Sequence, residues 1–259
     1  MLRALIDAGI RPDLVVGTSI GAVNGVAIAS DPTPEGVDRL ERLWGDVEST
    51  GVFGGTIVDR VRHLASTRTS LHSDEPLRRL IGQVVERDLI EDLPVRFQCV
   101  AACIETATAR WFTHGPLVDA VLASCAVPGL LPVVEIDGFH YLDGGIVDSI
   151  PVQRAVSQGA TTVHVLQVGR IEEPLTPPRR PHEVAMVAFE IARRRSFATA
   201  MEELPDTVEV HVLPTGGTAP RFGDLRQLRY RDFSDVTARI ETARAATEEY
   251  LHERRLVRT

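Results

Sequence analysis

One pentapeptide constrains this chain more than any other feature: Gly17-Thr18-Ser19-Ile20-Gly21, set between an apolar run and a stretch of small residues. The run before it, Asp13-Leu-Val-Val-Gly17, is bounded by proline and glycine and predicts a buried parallel strand over 13–17. Ala22 to Ser30 is small and apolar and predicts a tightly packed helix. Strand, sharp turn and helix together are the setting in which G-x-S-x-G works as a nucleophile elbow. The positions two before and two after the serine crowd together in such a turn, so Gly17 and Gly21 are both expected to relieve the crowding. Ser19 then stands clear of the sheet with its Oγ at a helix N-terminus, where negative charge is favoured. Serine before a helix is also a common cap. The motif alone leaves both readings standing.

The rest of the chain alternates strand-like and helix-like segments. Helices are expected over 2–8, 35–48, 74–87, 116–124, 151–158, 182–203 and 233–255. Val95–Ile104 and Ala109–Thr113 read as a hairpin, and Asp137-Gly138 as the tight turn of a second one. Strands are also expected over 161–168 and 207–213, and a proline-rich loop over 171–181. The expected fold class is α/β: a single domain over 1–259 with a mostly parallel central sheet flanked by helices.

Composition removes several function classes. The formal charge of −8 disfavours nonspecific binding to nucleic acid or anionic lipid. Any peripheral membrane contact therefore has to come from an apolar patch. No run approaches the roughly 18 apolar residues of a spanning helix, and no signal peptide is visible, which reads as cytoplasmic. Cys99, Cys103 and Cys125 are an odd number without metal-like spacing and read as small buried hydrophobes. The histidines and acids also lack ligand spacing, so neither metal nor other cofactor is expected.

A second motif gives the serine a companion. Tyr141-Leu-Asp143-Gly144-Gly145 closes a short strand and is followed by Ile146-Val-Asp148-Ser-Ile-Pro151. In isolation Asp-Gly-Gly is a turn. Here it comes third in the order G-x-S-x-G, Ser124-Cys-Ala-Val-Pro-Gly129, Asp143-Gly-Gly145, Ile150-Pro151-Val152. That order resembles the patatin-like phospholipase family in its bacterial form, most clearly over residues 1–168. The resemblance implies a lipid acyl hydrolase, with Ser19 as nucleophile and Asp143 as its base. Its partner would be a lipid or acyl-ester substrate: phospholipid, lysophospholipid or a soluble ester. The chemistry is coherent, because partial burial raises an aspartate above its ordinary pKa of about 3.9 and makes it a usable base.

A Ser-His-Asp triad is the rival reading, with Asp143 joined by His164, His182 or His211. Against it, only 18 residues precede Ser19, fewer than an ordinary α/β-hydrolase places before its elbow. The resemblance also implies a first strand and a glycine-rich oxyanion loop, and the residues from Met1 look like the helix that follows them. The expectation is thus a patatin-like domain without that segment, its surviving oxyanion donors being the amides of Ile20 and Gly21. Gly54-Gly55 and Gly216-Gly217 lack the strand-then-helix setting of a replacement. Such a chain is either a shortened reading of a longer active enzyme or a pseudoenzyme kept for binding. Its own turnover and stability should then fall below those of an extended form.

Overall fold

The structure, a computed structural model, describes residues 1–45, 70, 72–167, 174–179, 181–217, 236–254 and 256. Gly54-Gly55 lies outside the described residues, as does part of the 171–181 loop. The elements begin with α1 (Leu2–Asp7), β1 (Leu14–Thr18), α2 (Ile20–Ser30), α3 (Pro34–Gly45) and α4 (Glu75–Val84). There follow β2 (Arg96–Cys103), β3 (Thr108–Phe112), α5 (Leu117–Ser124), β4 (Val134–Ile136) and β5 (Phe139–Asp143). The chain continues through α6 (Val152–Ser157), β6 (Thr162–Val165), α7 (Pro181–Glu202), β7 (Glu209–Val212) and α8 (Val236–Glu253). Contacts divide it into two compact units, Pro12–Pro151 and Met1–Arg11 with Val152–Thr259.

The Pro12–Pro151 unit is organised by β2. Phe97 to Cys103 are all buried, as befits a strand flanked on both edges and both faces. On one edge β1 runs parallel to it, from Leu14 opposite Arg96 to Thr18 opposite Val100. Where β1 stops, β5 continues on the same edge in the opposite sense, with Asp143 opposite Ala101 and Tyr141 opposite Cys103. On the other edge β3 pairs antiparallel, and β4 adds to β5. The α/β class holds, but this sheet, expected to be mostly parallel, is mixed. The reason is loop length: β2–β3 and β4–β5 are joined by tight turns too short for a crossover, so those pairs must be antiparallel. Asp137 (φ 54°) and Gly138 (φ 78°) both take the left-handed conformation that a two-residue hairpin turn demands.

Small residues bring α2 close to the sheet. Ala22, Val23, Val26 and Ala29 are fully buried. A Cβ on Gly25 would lie 2.9 Å from Val15 Cγ1 and 3.2 Å from the Phe97 ring, so glycine sets how near the helix can come. β1 lies at one end of the strand order among the described residues, with Leu14, Val15 and Val16 half-buried.

In the other unit, Ala4 and Leu5 of α1 share a small core with Leu213 and with Leu251 of α8. Gly9 (φ 77°) ends α1, and the Ile10 amide donates to the Leu5 carbonyl at 2.9 Å, closing a Schellman-type turn. β6 and β7 pair in parallel with His164 opposite His211, both strands being shorter than the β-branched runs suggest.

Candidate active site

The elbow forms at the C-terminal end of β1. Ser19 has φ 54° and ψ −126°, a conformation unusual for a residue with a side chain. Its carbonyl already accepts the first helical bond, from the Ala22 amide at 2.8 Å. A Cβ on Gly17 would lie 2.5 Å from the Gly21 carbonyl oxygen, so the expected crowding is real at that position. At Gly21 a Cβ would meet nothing within 4 Å. Gly17 alone relieves the turn, because the Gly21 backbone itself is what crowds Gly17. Ile20 and Gly21 are the first residues of α2, and helix geometry leaves their amides without intrahelical acceptors.

Asp143 reaches the elbow from β5. Its Oδ2 accepts the Ser19 hydroxyl at 2.5 Å, and its Oδ1 accepts the Gly145 amide at 2.7 Å. Asp143 is only 6% exposed. Burial pushes its pKa up to about 6, against the lowering effect of the bonds from Ser19 and the Gly145 amide. Gly144 is obligatory beside it, since a Cβ there would be driven into the Val100 carbonyl. Two further ties hold the elbow. Thr18 Oγ1 donates to the Asp148 carbonyl at 2.8 Å, and the Ser19 amide donates to Ser124 Oγ at 3.0 Å. The Asp148 carboxyl is also pushed up to about 6, by burial that outweighs the Ile150 amide bond.

The model of the family described as patatin-like phospholipase matches residues 1–156, more than half of the chain and every residue just described. The chain belongs to the patatin-like phospholipase family. Among curated proteins it is similar to patatin-like phospholipase domain-containing protein ZK370.4 of Caenorhabditis elegans, 32% identical over 67% of this chain. Patatin-like phospholipase domain-containing protein 6 of Homo sapiens is 31% identical over 67% of the chain. Lysophospholipase NTE1 of Candida glabrata is 30% identical over the same share. The matches cover 12%, 12% and 10% of these relatives, so the chain corresponds to a small part of each. The family model carries a phospholipase description, and one of these relatives is named a lysophospholipase.

In this patatin-like chain the residues singled out by sequence converge: Gly17, Ser19, Ile20 and Gly21 on the elbow, Asp143, Gly144 and Gly145 against it. Three histidines have partners other than Asp143, and the side chain of His182 lies outside what the structure describes. His140 Nδ1 is 2.6 Å from Glu105 Oε1 at the far end of the β4–β5 hairpin, and His164 stacks on His211 with ring centroids 5.0 Å apart. All three cysteines are buried and unbridged. Among the described residues no three His, Cys, Asp or Glu side chains are grouped to hold a metal, and no helix is long and apolar enough to cross a membrane. Sequence reading gave no role to Thr18, Asp148 or Ser124. Thr18 and Asp148 are 130 residues apart and Ser19 and Ser124 are 105 apart, so no local pattern could pair them.

Proposed function

We propose that this chain is a serine lipid acyl hydrolase of the phospholipase or esterase type, in which Ser19 attacks and Asp143 is the base. The observation that carries the reading is the direct 2.5 Å bond from Ser19 Oγ to Asp143 Oδ2. A serine hydroxyl is a poor nucleophile until its proton is taken during attack. Asp143 Oδ2 receives that proton as Oγ bonds to the ester carbonyl carbon. The same proton then passes to the departing alcohol, leaving an acyl-Ser19. Water, deprotonated by the same carboxylate, attacks the acyl carbon, releases the carboxylic acid and returns the proton to Ser19. Oxyanion charge falls near the N-terminus of α2, where the amides of Ile20 and Gly21 are free of helical bonds. The arrangement favours a dyad over a triad, because the carboxylate spends its two oxygens on Ser19 and Gly145 rather than on an imidazole.

The relative named a lysophospholipase makes lysophospholipid the first natural substrate to test, with phospholipid and soluble short-chain esters beside it. Labelling with a fluorophosphonate probe, mapped by mass spectrometry, checks the nucleophile. Probe adduct at Ser19, lost in Ser19→Ala, supports the reading. Ester hydrolysis that survives Ser19→Ala, or the absence of both labelling and hydrolysis, refutes it.

A further inference from the structure

The motif Ser124-Cys-Ala-Val-Pro-Gly129 takes no part in that chemistry, yet it holds both members of the pair from behind. Ser124 is the last residue of α5 and is completely buried, at 0% exposure. Its Oγ accepts the amide of Ser19 at 3.0 Å. Two residues further on, the carbonyl of Ala126 accepts the amide of Asp143 at 2.9 Å. The segment itself is pinned, because the Cys125 amide donates to the Val121 and Leu122 carbonyls of α5. One short stretch of chain therefore fixes the main chain of the serine and of the aspartate together.

The two anchors differ in what a mutation can reach. Asp143 is held by a backbone carbonyl and keeps its anchor whatever side chain sits at 126. Ser19 is held by a side-chain oxygen. Its amide sits at the apex of a strained turn, and without Ser124 Oγ that donor loses its partner. The elbow would then relax while Asp143 stayed in place, and the separation between Ser19 Oγ and Asp143 Oδ2 would change. The same bond removes the serine's own amide from the donors facing an oxyanion, leaving those of Ile20 and Gly21.

We propose that Ser124 is a positioning residue, whose hydroxyl sets the elbow so that Ser19 meets Asp143; as a role in turnover this rests on the reading of Ser19 as nucleophile. The test compares Ser124→Ala with Val121→Ala in the full chain. Val121 is equally buried on the same helix, but its side chain makes no bond to the elbow. Three quantities are read: exchange of the Ser19 amide hydrogen by NMR, kcat per fluorophosphonate-labelled site, and KM for a short-chain ester. Ser124→Ala is expected to speed Ser19 amide exchange at least ~10-fold and to lower kcat per labelled site roughly 10-fold, with KM within about twofold. Val121→Ala is expected to lower the melting temperature and leave kcat per labelled site unchanged. Unaltered Ser19 exchange in Ser124→Ala overturns the proposal, as does an equal loss of kcat per site in Val121→Ala. If the unmutated chain neither labels nor turns over, it is the hydrolase reading that fails, and Ser19 exchange alone then decides for or against the anchor.

Discussion

Ser19 meets Asp143 because two strands share one edge of β2 end to end. Thr18, the residue before the serine, is opposite Val100, and Asp143 is opposite Ala101. The parallel strand β1 therefore delivers Ser19 at the point where the antiparallel strand β5 delivers Asp143. Gly144 seals the junction, lying against the Val100 carbonyl with no room for a side chain. Neighbouring positions on a central strand turn a separation of 124 residues into a hydrogen bond of 2.5 Å.

Asp143→Asn should abolish turnover and make the protein more stable at pH 8. The folded pKa of about 6 lies above the unfolded value of 3.8, so ionising this carboxyl costs the folded state free energy as pH rises. The gain from the neutral amide should be on the order of 1–3 kcal/mol at pH 8 and should vanish near pH 4, where the native carboxyl is already protonated. Denaturant melts of both proteins at the two pH values check this. Equal stability at pH 8 would show that the site tolerates the charge.

The rate should follow the same ionisation. Only the carboxylate form of Asp143 can take the serine proton, so kcat/KM is expected to climb through a midpoint near pH 6. Asp148 also titrates near 6, and the Asp148→Asn variant should keep the rising limb if Asp143 causes it. A limb lost in that variant assigns the ionisation to Asp148 instead.

The glycines of the elbow should separate sharply. Gly17→Ala places a methyl 2.5 Å from the Gly21 carbonyl, a backbone clash that no rotamer relieves. A loss of at least about 2 kcal/mol and of labelling at Ser19 is expected. Gly21→Ala meets open space and should cost less than about 0.5 kcal/mol. Chemical denaturation of the two variants is sufficient, and equal losses would contradict the crowding described above.

Acid should weaken the Met1–Arg11 with Val152–Thr259 unit. Burial, and then the neighbouring His211, hold the His164 pKa below its usual value, while Glu209 opposes them. The unfolded chain therefore binds this proton first. The stability contributed is present above the ordinary histidine range, at about pH 6.5, and is lost as pH falls through it. Melting temperatures between pH 5 and 8 should fall less steeply for His164→Leu than for the unmutated chain. Identical slopes would remove His164 from the account.

Short-range signals were legible in the sequence. The Gly17–Gly21 elbow, the Asp137-Gly138 turn and the helix over 116–124 each depend on neighbouring residues, and each is found where its residues predict it. The candidate pair was legible too, but only as two motifs in a particular order. Nothing near Ser19 or Asp143 states which strand edge each one reaches.

That decision belongs to the tertiary structure. Burial and periodicity tell which residues face a core, whereas strand order and direction depend on which edges of β2 are taken by partners far away in the chain. The sheet is therefore mixed where alternating strands and helices suggested mostly parallel pairing. Gly21, expected to share the crowding, lies open, and Ser124, quoted only as part of a motif, proves to hold the serine's amide. By itself the sequence determined that this chain can make a sharp serine turn and an acidic strand end. Only the register of β1 and β5 on one strand brought them within a proton's reach, because hydrogen bonds between distant residues form after the backbone has chosen its neighbours.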